Sequence, residues 1–356
     1  SSSTSTALPG SSPAPPVQQF KQQIKQGLSK KLLGNSGWPL TFEMYPELEK
    51  WLDAFSPEVI FSTTGSLYFV EAALAIKEKY NTKLVVHLLD DWYDLVYRTG
   101  IFKYQRKKFL RLLHQIVEEA DYVMSISEDM AEVFEKRFGV KFHTFHNGTY
   151  LDRPETSVAK PKDHHKITYF GTVWPYCQLF SLLKIAETVE AMEPVAGRKV
   201  QLEVVTSDYC IKEYGDLFEP FQRTHVTEFT DDQNQFFDEL GSSDLILLPS
   251  NFDDQSISFF RYSIPGKLPG YLNANVPIFV FGPAEITQVK MAKEHGWGYV
   301  LSENSSVELE KALTLQLTDQ DLRKQLVQTA GRYVAQEFDL RKIQDRLQNQ
   351  VRALVN

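Results

Sequence analysis

Two cations lie close together in the segment FFRYSIPGK, residues 259–267. A guanidinium or an ammonium group beside the free N–H groups of a helix N-terminus binds anions such as a diphosphate. We expect a helix to begin near Ser263, which can serve as its N-cap. Arg261 and Lys267 would then flank that N-terminus. The segment therefore predicts a site for a diphosphate.

Two apolar runs frame this segment and must position it. Residues 245–248 form an apolar run that is typical of a buried parallel strand, and residues 277–281 form a second one. An acidic loop, residues 251–255, follows the first run. Such a strand–loop–helix–strand unit places its ligand beyond the carboxyl ends of the strands.

The sequence SIPGKLPGYLNANVPI (263–278) resembles the donor-site helix of family 4 glycosyltransferases, which have the GT-B fold. Their usual pattern is S-x-P-x-K-x-x-E-Y-L-A-x-G-x-P-I. The family Glu, which commonly holds the ribose hydroxyls of the donor, falls on Gly270, and the family Gly falls on Asn275. The matching positions are Ser263, Pro265, Lys267, Tyr271, Leu272, Pro277 and Ile278.

Composition bounds the class of protein. The chain has 356 residues, of which 42% are hydrophobic and 13% aromatic, so it can form two globular domains. Its net charge of −8 argues against nonspecific nucleic-acid binding. Cys177 and Cys210 have neither metal-binding nor disulfide-framework spacing, which favours a reducing cytosol. No apolar run reaches the roughly 18–20 residues that cross a bilayer.

Strands alternate with helices along the chain, which predicts an α/β fold of two Rossmann-like, doubly wound domains facing a cleft. We expect a flexible tail and a basic helix in residues 1–36, followed by a first domain on the acceptor side in residues 37–158. A second domain for a nucleotide sugar would span residues 159–338. A C-terminal helix, residues 339–356, would return to the first domain. The Gly-rich start that is usual for the fold is not found before residue 56. The first domain is either abbreviated or begins outside this chain.

The basic segment 17–36 has apolar residues at helical spacing. A helix of this type can lie on an anionic membrane, and the alternative is a solvated surface helix. We therefore expect a cytoplasmic protein, with peripheral contact to the inner membrane face as a second option.

The resemblance suggests further donor contacts. A glycine after a strand lets the backbone approach a phosphate, although strand-to-helix turns often need one anyway. Relatives frequently carry Arg and Lys near the positions of Thr172 and Cys177, so part of the usual phosphate contacts is missing. Asp253 and Asp254 either touch the donor sugar or form a solvated acidic loop. The predicted donor-binding residues are Gly171, Thr172, Asp253, Asp254, Ser263, Gly266 and Gly270.

On the acceptor side, a strong strand ends in Asp90, Asp91 and Trp92. These residues are similar to a His-Asp-x-Trp segment of relatives, and His87 lies on the same face as Leu89. The alternative for this group is a helix cap after the strand. We predict His87, Asp90 and Trp92 on the acceptor side.

For catalysis we predict Asp91, Arg261 and Lys267. The alternatives are a surface ion pair of Arg261 with Asp253 or Asp254, and a helix-surface position for Lys267.

The resemblance covers about residues 50–356. It implies a hexosyltransferase-like enzyme that moves a sugar from a nucleotide-sugar donor to an acceptor hydroxyl of a glycan, a glycolipid or a small molecule. It also implies retention of configuration, no essential metal and no cofactor, with a role in polysaccharide or glycoconjugate synthesis. The alternative is a catalytically inactive binding or scaffold protein, which Gly270, Thr172 and Cys177 favour.

Overall fold

A computed structural model describes residues 40–98, 100, 102–152, 160, 163–229 and 233–355. The tail and basic helix predicted for residues 1–36 lie outside these segments. The described chain forms a four-stranded and a six-stranded sheet, each with parallel strand pairs. The predicted α/β class with two Rossmann-like lobes is therefore confirmed.

The first lobe is built on the four-stranded sheet, with strand order β1-β2-β3-β4. Its central strand β2 is buried along most of its length because apolar residues dominate it. The strands are β1 (Val59–Ser62), β2 (Lys83–Leu88), β3 (Tyr122–Ser125) and β4 (His143–Thr144).

Five helices are described in the first lobe, and two of them have a serine as the N-cap residue. The hydroxyl of Ser66 accepts a hydrogen bond from the N–H of Phe69, and that of Ser127 accepts one from Met130. A 3-10 turn, Lys103–Gln105, leads into the fourth helix. The helices are α1 (Pro46–Phe55), α2 (Leu67–Tyr80), α3 (Trp92–Leu95), α4 (Arg106–Glu119) and α5 (Glu128–Phe138).

The second lobe is built on the six-stranded sheet, with order β10-β9-β8-β5-β6-β7. Strand β5 pairs with β6 on one side and β8 on the other, so the strand order reverses there. A crevice opens at such a switch point, beyond the carboxyl ends of the strands. The strands are β5 (His164–Phe170), β6 (Lys199–Thr206), β7 (Thr224–Glu228), β8 (Leu245–Pro249), β9 (Ile278–Phe281) and β10 (Tyr299–Leu301).

The helices of the second lobe cover both faces of its sheet, and the C-terminal helix packs against the first lobe. In the described segments they are α6 (Leu179–Ala191), α7 (Asp208–Tyr214), α8 (Gln233–Gly241), α9 (Asp254–Phe260), α10 (Leu268–Leu272), α11 (Thr287–His295), α12 (Ser306–Thr318), α13 (Gln320–Glu337) and α14 (Leu340–Val355). Within these segments no helix is both long and apolar enough to cross a bilayer.

The chain passes between the lobes twice, and the two crossings touch. Thr149 and Asp339 form a parallel bridge, and the N–H of Thr149 donates to the carbonyl of Phe338 at 2.9 Å. A Cβ on Gly148 would lie 2.9 Å from the Cα of Leu340, so only glycine fits this crossing without a shift. Helix α14 then packs on the first sheet, where Ile343 contacts the cluster of Val85, Met124 and Phe145.

The helix expected near Ser263 begins later, so this prediction is wrong. Helix α10 starts at Leu268, with Pro269 in its first turn and Lys267 as its N-cap residue. The hydroxyl of Ser263 instead donates to a carboxylate of the first lobe, as described below. Asp254 is likewise not in a loop, because it is the first residue of α9.

Candidate functional site

Lys267 lies at the switch point, against the carboxyl end of β5. Its Nζ lies 3.7 Å from the ring centroid of Tyr169 on β5 and 5.6 Å from that of Tyr271 on α10. An ammonium over an aromatic face is attracted by the ring quadrupole. Across the described residues Lys267 forms no ion pair, so no carboxylate neutralises its charge.

Gly171 directly follows β5 and lies beside this ammonium. Its φ of +144° is a conformation that side chains rarely adopt, and an added Cβ would lie 3.0 Å from Lys267 Nζ and 3.3 Å from its Cδ. The absence of a side chain at Gly171 therefore leaves room for the side chain of Lys267 against this turn.

Two tyrosines fix the position of Lys267. Tyr169 donates from its hydroxyl to the carbonyl of Thr172 at 2.6 Å, which holds the turn after β5. Tyr271 donates to the carbonyl of Phe170 and accepts from its N–H, both at 2.9 Å. The lysine is thus held between rings that are themselves hydrogen-bonded to the backbone of the turn.

Burial shapes the electrostatics of this site. Desolvation lowers the pKa of Lys267 to about 7, and the nearby Cys177 opposes this slightly. Desolvation also raises the pKa of Cys177 to about 12, so this residue is a neutral thiol near pH 7. A desolvated, unpaired cation gains much from an anion, because the interaction is strong where water is excluded.

Asn251 joins the turn after β5 to the end of β8. Its Oδ1 accepts from the N–H of Ser181 at 3.0 Å, and its Nδ2 donates to the carbonyl of Pro175 at 2.7 Å. Its N–H donates to the carbonyl of Cys177 at 2.7 Å. This buried amide holds both walls of the crevice in place.

The second predicted cation, Arg261, lies elsewhere. It directly follows α9, whereas Lys267 directly precedes α10, so the prediction that both flank one helix N-terminus is wrong. The two helices are separate because the chain turns between residues 261 and 267. Arg261 is exposed, and within the described segments it forms no ion pair with Asp253 or Asp254.

The acidic pair before α9 has a local role. Both carboxylate oxygens of Asp253 accept hydrogen bonds from Ser256, one from its N–H at 3.0 Å and one from its hydroxyl at 2.7 Å. Asp253 is therefore the N-cap of α9. Desolvation of Asp253 favours a higher pKa, but the Ser256 hydrogen bonds outweigh it and lower the pKa. Asp254 is exposed.

The two carboxylates that the sequence predicts on the acceptor side have different surroundings in the first lobe. Asp90 reaches across to the second lobe, where its Oδ1 accepts from the hydroxyl of Ser263 at 2.9 Å. Burial raises the pKa of Asp90, and this hydrogen bond opposes the shift. Asp91 caps α3 and forms a 2.8 Å ion pair with Arg137. Burial raises the pKa of Asp91, and Arg137 opposes the shift.

His87 and Trp92 lie near these carboxylates in sequence but contact the first lobe. The Nε2 of His87 lies 2.9 Å from the carbonyl oxygen of Phe145, and burial lowers the pKa of His87. Trp92 lies against Gly65, whose added Cβ would be 3.4 Å from the indole ring.

Two further glycines of the predicted donor site meet other parts of the molecule. An added Cβ on Gly266 would lie 3.0 Å from Nδ2 of Asn147, at the junction of the lobes. An added Cβ on Gly270 would lie 2.7 Å from the ring of Phe236 on α8. The space beside Gly270 is thus taken by an aromatic ring.

The remaining predicted donor residue, Thr172, is exposed, and its carbonyl accepts the hydrogen bond from Tyr169.

Sequence reasoning missed Tyr169 and Asn251. A signal existed for Tyr169, because it lies two residues before Gly171 and so faces the same side of β5. Asn251 directly follows β8, yet its role depends on a turn that is distant in sequence. Within the described segments no group of three His, Cys, Asp or Glu residues is arranged to hold a metal ion.

The comparisons with known proteins agree with this architecture. The model of Glycosyltransferase Family 4 matches residues 7–153. Among curated proteins, no sequence match is found.

Several solved structures share the fold of the chain. HepE from Anabaena, solved with UDP-glucose, is 15% identical over 86% of this chain and 82% of its own, with a TM-score of 0.61. Sucrose-phosphate synthase from Thermosynechococcus elongatus is 13% identical over 94% and 93%, with a TM-score of 0.60. WaaG, a glycosyltransferase involved in lipopolysaccharide biosynthesis, is 16% identical over 79% and 80%, with a TM-score of 0.54. The resemblance identified in the sequence is confirmed by the family match and by this shared two-lobed fold.

Proposed function

We propose that this family 4-like glycosyltransferase with the GT-B fold transfers a sugar from a nucleotide-sugar donor to an acceptor hydroxyl. The observation that carries the proposal is the amine of Lys267, which has no carboxylate partner in the described structure and lies against the turn at Gly171. A diphosphate leaving group gains negative charge as its bond to the sugar breaks. A cation placed in a desolvated crevice stabilises that charge in the transition state.

The donor lies on the second lobe in this proposal, with its diphosphate against Lys267 and the turn after β5. This turn lies at the switch point where ligands of doubly wound sheets bind. HepE was solved with UDP-glucose and with UDP, which supports a uridine nucleotide as the first donor to test.

The acceptor enters from the first lobe, near Asp90. This carboxylate is the better candidate for contact with a sugar hydroxyl, because both Arg137 and the helix cap already engage Asp91. The raised pKa of Asp90 suits a group that takes up a proton from an acceptor hydroxyl. Retention of configuration and independence of metal ions remain implications of the resemblance, as does a role in polysaccharide or glycoconjugate synthesis.

The experiment is a titration of the whole chain with UDP, GDP and ADP in a calorimeter, followed by a hydrolysis screen over common sugar nucleotides. We expect saturable binding of at least one nucleotide. We also expect slow hydrolysis of the matching sugar nucleotide, which releases the nucleoside diphosphate. Failure of every nucleotide to bind would overturn the proposal.

A binding or scaffold protein without turnover is the second candidate. It is favoured by the ring of Phe236, which fills the space beside Gly270 where the resemblance implies a ribose contact. Nucleotide binding without hydrolysis or transfer to any acceptor would favour this candidate. Membrane contact through residues 17–36 and a cytoplasmic location remain proposals from the sequence.

A further inference from the structure

Four aromatic side chains form a row along the carboxyl edge of the second sheet, and we call them the aromatic row. Trp174 and Tyr176 lie in the turn after β5, Tyr209 lies in the first turn of α7, and Phe259 lies in α9. The ring centroids of neighbouring members are 5.6 Å apart for Phe259 and Tyr176, 6.0 Å for Tyr176 and Trp174, and 5.6 Å for Trp174 and Tyr209. The planes of the Trp174 and Tyr176 rings differ by 17°, so these two rings form a continuous surface.

One end of the row lies beside the candidate functional site. The turn that carries Trp174 and Tyr176 begins at Gly171, which lies against Lys267. Burial raises the pKa of the Cys177 thiol, and the charges of Lys267 and Asp90 also act on it. Because Cys177 directly follows Tyr176, this end of the row lies near both the candidate donor cation and the candidate acceptor carboxylate.

Hydrogen bonds fix the backbone that carries the two stacked rings. The carbonyl of Trp174 accepts a hydrogen bond from the N–H of Gln178 at 3.1 Å. The carbonyl of Pro175 accepts one from the buried amide of Asn251 at 2.7 Å, and the proline ring fixes its own φ. Rings on such a rigid turn lose little conformational freedom when they bind a ligand, so the surface is formed before binding.

The row is accessible to solvent and is apolar rather than ionic. The side chain of Tyr209 is 42% exposed, and Trp174 and Tyr176 are half-buried. Contiguous apolar groups at the surface often mark a binding site. The chain has no charged side chain in residues 167–183, which include the whole turn. Beside Tyr209, the cation Lys212 is paired with Asp208 at 2.5 Å.

A pyranose ring fits a surface of this kind. Its faces carry C–H bonds and its hydroxyls point outward from the rim, so a face can stack on an aromatic ring while the hydroxyls still form hydrogen bonds. Gln255 is exposed and lies one helical turn before Phe259, where its amide can both donate to and accept from such hydroxyls. A nucleic-acid strand would need cations along the rings to contact its phosphates, and the turn has none.

We propose that the aromatic row binds consecutive pyranose rings of a neutral glycan chain, the end of which enters the crevice as the acceptor. The role as acceptor rests on the proposed function, whereas binding of the glycan by the row does not. Several rings in a row suit several sugar residues, so affinity rises with the length of the glycan. The acceptor is then an oligosaccharide or a polysaccharide rather than a small molecule.

The test is a calorimetric titration of the whole chain with maltohexaose, cellohexaose, laminarihexaose and β-1,4-mannohexaose, and with glucose and mannose. The probe variant is Trp174→Ala/Tyr176→Ala, and Trp174→Phe/Tyr176→Phe keeps the two rings. The matched control is Trp51→Ala/Phe55→Ala, which removes an exposed, stacked pair of rings from α1, with centroids 5.0 Å apart. Tyr209→Ala is a second probe that leaves the turn after β5 intact. Thermal unfolding confirms that each variant is folded.

We expect the parent chain and the control to bind at least one hexasaccharide, and to bind it more tightly than the monosaccharide. The Trp174→Ala/Tyr176→Ala variant should lose about tenfold in this affinity, because it removes two stacked rings. Tyr209→Ala should lose several-fold, whereas the variant with two phenylalanines should bind nearly as well as the parent chain. The emission of tryptophan in the parent chain should change on binding, and this change should vanish in Trp174→Phe/Tyr176→Phe.

The proposal is overturned if the parent chain binds none of the hexasaccharides, or if it binds them no more tightly than the monosaccharides. Equal losses in the probe and control variants would also overturn it. A probe variant that loses affinity for UDP but not for the glycan would assign the row to the nucleobase of the donor instead. A parent chain that binds the glycan but no nucleotide would count against the proposed function alone.

Discussion

The ammonium of Lys267 lies 3.7 Å from the ring centroid of Tyr169, and in the described structure it has an aromatic face where most buried lysines have a carboxylate. The cation–π contact offsets only part of the cost of desolvating a charge. Stability is therefore lower than it would be with an apolar side chain here. We propose that an anion supplies the missing partner of Lys267, and the first two predictions test this.

Replacing Lys267 by methionine should change stability and binding in opposite directions. Lys267→Met keeps an unbranched side chain that is one atom shorter and removes the unpaired charge, so the melting temperature should rise by a few degrees. Nucleoside diphosphate binding should weaken by about 1.5–3 kcal/mol, the worth of a hydrogen bond to a charged group. Calorimetry and thermal unfolding measure the two effects.

Lys166 provides the matched control for that substitution. It lies at the start of the same β5 strand and pairs with Glu239 at 2.7 Å. Lys166→Met should lower stability, because it leaves that carboxylate unpaired, and should leave nucleotide affinity unchanged. Equal nucleotide affinity in Lys267→Met and the parent chain would remove Lys267 from the donor site.

Above neutral pH, the protein should take up a proton when it binds a nucleotide. The pKa of Lys267 is lowered to about 7 in the free protein, and a bound diphosphate favours the charged form and raises it. Between pH 7.5 and 8.5 the free lysine is mostly neutral, so its affinity for the diphosphate should fall as pH rises. The nucleotide itself is already fully ionised there, since its second phosphate pKa is about 6.

The proton uptake is measured by titrating UDP at pH 8 in two buffers of different ionisation enthalpy. The apparent binding enthalpy should differ between the buffers for the parent chain and agree for Lys267→Met. Agreement in both proteins would show that Lys267 is already charged before the nucleotide binds.

Adding one methyl group at Gly171 should displace the lysine. Gly171→Ala places a Cβ 3.0 Å from Nζ and strains a backbone with φ of +144°, so we expect a loss of about 1–3 kcal/mol in stability and weaker UDP binding. Gly197→Ala is the control, because its φ is +77° and no atom lies within 4 Å of the added Cβ. This control should lose stability but keep its UDP affinity. Similar UDP affinities in the two variants would indicate that the turn at Gly171 does not meet the ligand.

The ring of Phe236 should determine which side chains fit at position 270. Gly270→Glu alone forces its Cβ to 2.7 Å from that ring, so the substitution should destabilise the second lobe by about 1–3 kcal/mol. The double variant Phe236→Ala/Gly270→Glu frees the space for a carboxylate. The resemblance implies that such a carboxylate holds ribose hydroxyls.

We expect the double variant to bind UDP more tightly than 2′,3′-dideoxy-UDP. The parent chain and Phe236→Ala should bind the two nucleotides about equally, since neither has a carboxylate at position 270. Calorimetric titrations of the three proteins with both nucleotides provide the measurement. If the double variant is folded yet does not discriminate, the ribose does not lie beside α10.

Local patterns determined most of the secondary structure of the described chain. The apolar run at 245–248 predicts a buried strand, and β8 is buried throughout because parallel strands are covered on both faces. Helix α2 begins at Leu67 because the hydroxyl of Ser66 accepts a hydrogen bond from the N–H of Phe69. Ser263 did not behave in the same way, since its hydroxyl donates to Asp90, which is distant in the sequence. A local rule for helix starts cannot include a partner on the other lobe.

The sequence by itself determined that Gly171 and Lys267 lie beside strands of a parallel sheet, because their spacing from the neighbouring apolar runs is local information. Only the tertiary structure decided that Lys267 rests on Tyr169, that Phe236 fills the space at Gly270, and that Arg261 lies on a different helix. Each of these outcomes depends on contacts between segments that are far apart in the chain. The charge of a side chain can be read from the sequence, but its desolvation and its partners are properties of the packed molecule.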